Sequence, residues 1–321
     1  MGGADASSRG AQMLVADNKV CEGLNGRLFL DNDQNRVLYQ HAGELLFTNR
    51  ELDEWRFLLE TRVAWLSVRG VPYFFLVPPN AHSVYPEDLP EQVPRGAMRP
   101  VPQLLNHLAE RESFAHLEYP RDAIVAAKPA LLYPKTDPHW TARGAFIGYR
   151  VLADQIAELM PIHKVPAEDV VYREKSIVGE LGFKMNPKRE SLDLEASVPR
   201  PRAVLVMDNQ VFNTGSLIET SCPEAPPTTC LLFGDSFVRK MLPFFAASFR
   251  RLVFAQVVTL DHTLVEEVRP DVVVTVVNER FMIQIHHDAG AATLQDIASE
   301  KLEAGRLRER MFEWEFVPAG G

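Results

Sequence analysis

The stretch Leu231-Leu232-Phe233-Gly234-Asp235-Ser236-Phe237 joins a short apolar run to a Gly-Asp-Ser turn. The apolar run predicts a buried strand at residues 230–233, and the pattern that follows predicts an amphipathic helix over residues 236–249. A strand that brings a glycine and a serine to its carboxyl end, directly before a helix, is typical of an open α/β sheet, in which sites lie at that edge. The stretch therefore indicates both the fold class and the place of a site.

Further apolar runs of strand length alternate with amphipathic stretches along the chain. After a turn and a short strand at 25–30, they predict strands at 71–77, near 114–119, and at 203–207, 252–258 and 271–277. The stretches between them predict helices at 49–69, 101–112, 141–160, 261–268 and about 291–312. Strands that alternate with helices indicate an open, mostly parallel sheet flanked by helices, in a three-layer α/β/α arrangement.

The pattern indicates one domain rather than two. Residues 1–20 are polar and predict a weakly ordered lead-in, and residues 21–321 form the α/β domain. Inside it, residues 161–200 are rich in Lys, Arg and Glu, so we expect an irregular insertion with little core of its own.

Composition excludes several classes of protein. A net charge of −9 argues against nucleic-acid binding, which needs a basic surface. No run approaches the ~18 apolar residues of a transmembrane helix. The N-terminus lacks the basic-then-apolar layout of a secretory signal, so the protein is expected to be cytoplasmic unless a signal has been removed. The three cysteines, Cys21, Cys222 and Cys230, form no metal-binding motif, and either one disulfide or three thiols fits them.

Ser236 is the first candidate for chemistry. At the end of a buried strand its hydroxyl would face the crevice, and the N–H groups of the following helix could stabilise an oxyanion. Asp235 or Ser236 could instead only cap that helix, as both residue types do well. Position alone leaves both interpretations open.

A nucleophilic serine needs a base and a group that orients the base. Asp137 and His139 stand two residues apart in Asp137-Pro138-His139-Trp140, where an extended backbone points both side chains to the same side. The carboxylate could then hold one imidazole nitrogen while the other faces Ser236. The alternative is a helix-entry loop, with Thr141 as the N-cap and His139 half-buried under Trp140.

The Asp-x-His-Trp motif at residues 137–140, followed downstream by Gly-Asp-Ser-Phe at 234–237, resembles the SGNH hydrolase-like alginate O-acetyltransferase family of exopolysaccharide-modifying enzymes. Family members carry the two motifs in this order, the reverse of ordinary SGNH hydrolases. The likeness extends over most of residues 24–282. It includes Gly26-Arg27-Leu28-Phe29-Leu30, Pro79-Asn80, Val84-Tyr85-Pro86, Gly179-Glu180-Leu181-Gly182 and Glu279-Arg280.

The resemblance implies an SGNH-like catalytic domain over residues 21–321. It implies Ser236 as the nucleophile, His139 as general base and acid, and Asp137 as the residue that orients His139. The backbone N–H of Ser236 would contribute to the oxyanion hole.

The resemblance also implies that Asn80, Tyr85 and Arg280 line the substrate cleft. For Arg280 an ion pair with Glu279 or with the helices around the sheet is an equal alternative, and for Tyr85 the alternative is ordinary packing. The family's lysine after Pro-Asn is Ala81 here, which puts any role of that lysine in binding an anionic sugar in doubt.

The function implied is an O-acyl, expected O-acetyl, transferase that acts on sugar hydroxyls of a polysaccharide or glycoside through an acyl-Ser intermediate. A carbohydrate acetyl esterase, a catalytically silent glycan-binding relative and a cytoplasmic acyltransferase of small-molecule metabolism are the alternatives. The expected partners are a carbohydrate acceptor and an acyl donor, either a membrane acyltransferase or acetyl-CoA. No cofactor, metal or nucleic acid is expected. The family's relatives are periplasmic, in contrast to the missing signal.

Overall fold

The computed structural model describes residues 19–31, 33–110 and 117–308. Most of the predicted lead-in at 1–20 lies outside the described residues, as do the start of the strand predicted near 114–119 and the last residues of the helix predicted at 291–312.

The strands and helices follow one another along most of the chain. The strands are β1 Val20–Glu22, β2 Leu28–Leu30, β3 Tyr73–Leu76, β4 Leu117–Glu118, β5 Val171–Ile177, β6 Ser191–Ser197, β7 Val204–Asp208, β8 Leu217–Ser221, β9 Thr229–Gly234, β10 Arg251–Ala255 and β11 Val272–Val276. The α-helices are α1 Val37–Ala42, α2 Asn49–Ser67, α3 Ala81–Val84, α4 Pro100–Glu110, α5 Arg121–Ala126, α6 Ala142–Leu159, α7 Glu180–Phe183, α8 Leu242–Ser248, α9 His262–Val268 and α10 Leu294–Glu303. Short 3₁₀ turns occupy Leu24–Gly26, Pro86–Asp88, Ala167–Asp169, Ser236–Lys240 and Glu279–Ile283.

Within the described residues, the main sheet has seven strands in the order β4-β3-β11-β9-β10-β8-β7. Its first five strands run parallel, and β8 and β7 extend it in antiparallel pairing. In the centre, Leu232 of β9 stands opposite Val274 of β11 and Phe254 of β10. This confirms the predicted open, mostly parallel sheet.

Each face of the sheet carries its own apolar core, because alternate residues of a strand point to opposite faces. Phe74, Leu232 and Val274 belong to the core on the side of α6 and α8. Their neighbours in sequence, Phe75, Leu231 and Val273, belong to the core on the side of α2, α4 and α9. Since helices cover both faces, the central strands are apolar at nearly every position. The predicted three-layer arrangement is therefore confirmed.

The segment at residues 161–200 is not irregular as predicted. Its strands β5 and β6 form an antiparallel hairpin whose charges pair across the strands, with Glu195 accepting from Arg173 at 2.9 Å and from Lys175 at 3.0 Å. Val170 and Val198 at the ends of the hairpin are buried in the core on the side of α6, and the largely exposed charge pairs add little to that packing. The charge-rich composition was therefore compatible with regular structure.

Two further elements differ from the prediction. The helix predicted over 236–249 is a 3₁₀ turn followed by α8, because Pro243 lacks the N–H that a continuous helix needs and its ring would clash with the preceding turn. The strand predicted as buried at 203–207 is β7, which lies at the sheet edge with Val204 and Val206 exposed. Strand β8 was not predicted.

A pair of buried histidines lies under the carboxyl end of β3. His41 of α1 and His82 of α3 have ring centroids 6.2 Å apart. Both ring nitrogens of His41 are buried and have no hydrogen-bond partner within the described residues. Burial, with the charges of His82, Arg99, Arg95 and Arg121 adding to it, lowers the pKa of His41 to about 3. Burial likewise lowers the pKa of His82 to about 4.

We expect this pair to make the fold acid-sensitive. Both folded pKa values lie below the ordinary 6.5, so the stability is complete above pH 6.5 and is lost as the pH falls towards 4. Linkage gives about 2 kcal/mol per histidine at pH 5. Replacing His41→Phe should remove about half of the loss in unfolding free energy between pH 7 and pH 5, measured by urea denaturation. His287→Gln, at an exposed position, is the control, and an unchanged slope for His41→Phe would contradict the assignment.

Candidate active site

The carboxyl end of β9 makes an unusually close approach to β11. A side chain at Gly234 would place its Cβ 2.5 Å from the carbonyl oxygen of Val276, so only glycine fits there. The next residue, Asp235, donates its N–H to the same carbonyl at 3.2 Å. The chain then turns sharply and places Ser236 at the carboxyl ends of the parallel strands.

Ser236, His139 and Asp137 form one hydrogen-bonded line. The Oγ–H of Ser236 donates to Nε2 of His139 at 2.7 Å, and the Nδ1–H of His139 donates to Oδ1 of Asp137 at 2.8 Å. The side chains of His139 and Asp137 are partly buried. An imidazole held in this way can accept the serine proton and return it.

The Asp137 carboxylate is held by three N–H groups. Oδ1 also accepts the backbone N–H of His139 at 2.9 Å, and Oδ2 accepts the backbone N–H of Glu180 at 2.8 Å. Burial alone would raise the pKa of Asp137, but the hydrogen bonds from His139 and Glu180 and the charge of His139 outweigh it and lower the pKa below 3.8. The group therefore stays ionised at neutral pH and fixes the proton on Nδ1 of His139.

Helix α7, in the segment at residues 161–200, holds the loop that carries Asp137 through hydrogen bonds. The carbonyl oxygen of Thr136 accepts the N–H groups of Leu181 and Gly182, both at 3.0 Å. Gly179 adopts φ +67°, and a Cβ there would overlap the Thr136 carbonyl. Close backbone contact with the loop that carries Asp137 thus requires glycine at position 179.

Helix caps form at these loops, as the alternatives from the sequence allowed, but they do not use the side chains of Ser236, His139 or Asp137. Asp235, rather than Ser236, caps the 3₁₀ turn by accepting the N–H of Phe237 at 2.8 Å. Thr141 caps α6, and buried Trp140 donates its Nε1–H to the Phe237 carbonyl at 2.9 Å. Trp140 therefore ties the histidine loop to the serine turn.

A small cleft lies beside the loop that carries Asp137 and His139. Asn80 and Arg280, two of the three predicted cleft residues, contribute to its lining. The full lining is Leu28, Phe29, Leu30, Asn80, Ala81, His82, Pro138, Leu181 and Arg280.

Tyr85 does not line this cleft and instead makes packing contacts. The Arg27 guanidinium lies 3.6 Å from its ring centroid, and Tyr133 meets it edge-on at 6.2 Å. This is the packing alternative that the sequence left open.

Glu279 is a buried polar residue that the sequence analysis assigned no role of its own. Its carboxylate accepts the backbone N–H of Asn80 at 2.7 Å and the hydroxyls of Ser83 at 2.9 Å and Tyr119 at 2.8 Å. It thereby joins the loop after β11 to the loop after β3. A pair of polar residues, Asn278-Glu279, directly after a buried strand was the available signal, because sites lie at strand carboxyl ends.

Three features of the described residues concern the binding of an oxyanion, a metal ion and a membrane. The backbone N–H of Ser236 has no acceptor among them. The same residues contain no cluster of His, Cys, Asp or Glu able to hold a metal ion. None of the described helices is long and apolar enough to cross a membrane.

A mostly parallel sheet between helices, with a Gly-Asp-Ser turn after the central strand, defines an SGNH-like α/β domain. The family described as "SGNH hydrolase-like domain, acetyltransferase AlgX" matches residues 20–261. The chain belongs to this family, as the motif order indicated. A comparison with curated protein sequences gives no match.

Solved structures share the fold. PatB1 of Bacillus cereus has a TM-score of 0.60 at 16% identity, over 74% of this chain and 94% of that one. The O-acetyltransferase domain of Pseudomonas putida AlgJ has a TM-score of 0.53 at 15% identity, over 88% and 99%. A DHHW family protein from Eubacterium siraeum has a TM-score of 0.55 at 14% identity, over 83% and 95%. At these identities the likeness shows the fold alone.

We expect Gly179→Ala to lower activity towards acetyl esters by displacing the Glu180 N–H that holds Asp137, together with the Leu181 and Gly182 N–H groups that hold Thr136. The strained φ and the overlap with Thr136 should together cost at least ~1–3 kcal/mol of stability. Gly70→Ala is the matched control, since Gly70 has φ +70° with no atom near the added Cβ. It should lose some stability while kcat/KM with p-nitrophenyl acetate stays unchanged. Equal kcat/KM values in the two variants would contradict this role of α7.

Proposed function

We propose that the protein is an O-acetyltransferase that moves an acetyl group to a sugar hydroxyl of a polysaccharide or glycoside through an acyl-Ser236 intermediate. The observation that carries the proposal is the hydrogen-bonded line from Ser236 through His139 to Asp137. Membership in a family of SGNH hydrolase-like acetyltransferases supports the choice of acyl group. The O-acetyltransferase domain of AlgJ has the same fold.

In the first step, Ser236 Oγ attacks the carbonyl carbon of the acetyl donor as its proton passes to Nε2 of His139. The Asp137 carboxylate, ionised and held by N–H groups, stabilises the imidazolium that forms. The backbone N–H of Ser236, which has no acceptor among the described residues, is available to the oxyanion. When the intermediate collapses, the leaving group takes the proton from His139 and the acetyl group remains on Ser236.

In the second step, a sugar hydroxyl gives its proton to Nε2 of His139, and its oxygen attacks the acetyl carbon. Collapse breaks the bond to Ser236, whose Oγ takes the proton back from His139. The enzyme returns to its starting state without a cofactor. Water in place of the sugar would give an acetyl esterase by the same steps.

Replacing Ser236→Ala should abolish the formation of the acyl-enzyme. We expect hydrolysis of p-nitrophenyl acetate to fall on the order of 10⁴–10⁶-fold, as for removal of a triad member. Mass spectrometry after incubation with the ester should show one added acetyl group, on Ser236, in the wild-type protein and in the control variant but not in Ser236→Ala. Ser299→Ala, on α10, is the control. Retained turnover by Ser236→Ala would refute the nucleophile assignment.

Product analysis distinguishes transfer from hydrolysis. With an acetyl donor and a mannuronate oligosaccharide, or a neutral oligosaccharide, we expect acetyl groups on the sugar rather than free acetate alone. Acetate as the sole product with every acceptor would identify an esterase. Turnover of acetyl-CoA would identify the donor, and inertness towards it would point to a partner acyltransferase.

A further inference from the structure

Arg280 is the buried cation of the cleft. It follows β11 in the 3₁₀ turn Glu279–Ile283, and only 7% of its surface is exposed. The cleft that it lines is also lined by Pro138, which lies between Asp137 and His139. Its guanidinium carbon lies 5.7 Å from the ring centroid of Phe237, the residue after the serine. Arg280 therefore lies beside the turn that carries Ser236.

No carboxylate forms an ion pair with Arg280 within the described residues, although the charge of Arg280 acts on buried Asp235 and opposes the rise of its pKa. Nη1 donates to the neutral amide oxygen of Asn278 at 3.1 Å, and the guanidinium carbon lies 4.4 Å from the ring centroid of Phe281. Nε is buried and has no hydrogen-bond acceptor among the described residues. Two other buried arginines differ, since Arg27 pairs with Asp88 at 3.0 Å and Arg62 with Asp288 at 2.7 Å.

The two nearby buried carboxylates are committed to other donors. Glu279 accepts from the N–H of Asn80 and from the hydroxyls of Ser83 and Tyr119. Asp235 accepts the N–H groups of Phe237 and Asn278. Neither forms an ion pair with Arg280, which rules out the Glu279 pairing that the sequence allowed.

The polar neighbours of Arg280 in the cleft carry no opposite charge. His82 donates its Nε2–H to the Leu30 carbonyl at 2.9 Å, and its buried Nδ1 has no partner within the described residues. Burial lowers its pKa to about 4, so it is neutral at neutral pH. The side-chain amide of Asn80 makes no hydrogen bond within the described residues. The cleft thus combines one cation with unused donors and acceptors.

A buried charge without a partner is costly, because the lost hydration is not replaced. Such a cost at a cleft is typical of a residue that awaits a charged ligand. On the basis of the proposed function, we infer that Arg280 binds an anionic oxygen of the substrate. That oxygen belongs either to the oxyanion formed at the acetyl carbon or to a carboxylate on the sugar acceptor.

The first test measures Arg280→Met against Arg62→Met. Arg62→Met should lower the Tm, since it breaks an ion pair and leaves Asp288 buried and uncompensated. Arg280→Met should leave the Tm unchanged or raise it, because it removes an unpaired buried charge. A fall in Tm as large as that of Arg62→Met, with activity retained, would show a structural role and overturn the inference.

Kinetics separate the two sources of the anionic oxygen. If it is the oxyanion, Arg280→Met should lower kcat for the neutral ester p-nitrophenyl acetate about 10²–10³-fold. If it is a carboxylate, that reaction should stay unchanged, while KM for a galacturonate oligosaccharide rises at least about tenfold and KM for a neutral oligosaccharide does not. Arg280→Lys should restore part of either loss. Unchanged kinetics with all three substrates would overturn the inference.

Binding to the Ser236→Ala protein makes the inference independent of turnover. Methylphosphonate, a tetrahedral anion, and galacturonate serve as probes of the two sources in isothermal titration calorimetry. At least one should bind to Ser236→Ala and lose about tenfold or more in affinity in Ser236→Ala/Arg280→Met. Arg280-dependent binding by a protein that turns over no ester would refute the proposed function and keep the anion site. Ester turnover with no Arg280-dependent binding and no kinetic effect of Arg280→Met would refute the anion site and leave the proposed function standing.

Discussion

The arrangement of the site depends on the buried carboxylate of Asp235. One oxygen accepts the N–H of Phe237 at 2.8 Å and the other accepts the N–H of Asn278 at 2.7 Å. Burial raises the pKa of Asp235, against the opposing effect of these hydrogen bonds and of the charges of Arg280 and His139. The carboxylate therefore ties the turn that carries Ser236 to the loop after β11, and a shift of either loop would leave a buried acceptor unpaired. Through it, the serine and the cation of the cleft hold fixed positions relative to each other.

The sheet alone does not build the rest of the site. Asp137 and His139 lie in a loop before α6, and the backbone of α7 in the insertion holds that loop through Thr136 and Asp137. Val165, Val170 and Val198 of the segment at 161–200 pack in the main core, and the segment holds the loop of Asp137 through directed hydrogen bonds. A carboxylate that accepts three N–H groups loses little by being partly buried, because each bond replaces a water contact. Three segments distant in sequence thus fix the imidazole of His139. Ser236 bonds its Nε2, Asp137 bonds its Nδ1, and the Glu180 N–H of α7 holds Asp137 in place.

The sequence predicted the central strands because burial on both faces demands continuous apolar runs, as at 71–77 and 271–277. The three residues of the proposed triad could be selected because their motifs and order resemble one family. The hairpin at 161–200 escaped prediction because its strands are rich in charged residues, and only the tertiary structure shows that Val170 and Val198 join the main core. The break before α8 follows from Pro243, whose missing N–H ends the helical pattern that the apolar spacing alone predicts. The contact of Glu279 with the Asn80 backbone joins residues far apart in sequence, so only the tertiary structure could reveal it.

Transfer rather than hydrolysis demands that the acceptor hydroxyl reach the acyl-enzyme before water does. The triad is partly exposed, with about a quarter of the His139 side chain accessible, so exclusion of water by the protein alone is incomplete. Orientation is the stronger lever, since a well-placed intramolecular nucleophile attains effective molarities of about 10⁵–10⁸ M. Under the proposed function, a sugar held beside Ser236 would present one hydroxyl to the acyl-enzyme and displace the competing water at the same time. Under the proposed function, the choice between the two reactions would depend on how tightly the acceptor is fixed, because Ser236, His139 and Asp137 would serve both reactions alike.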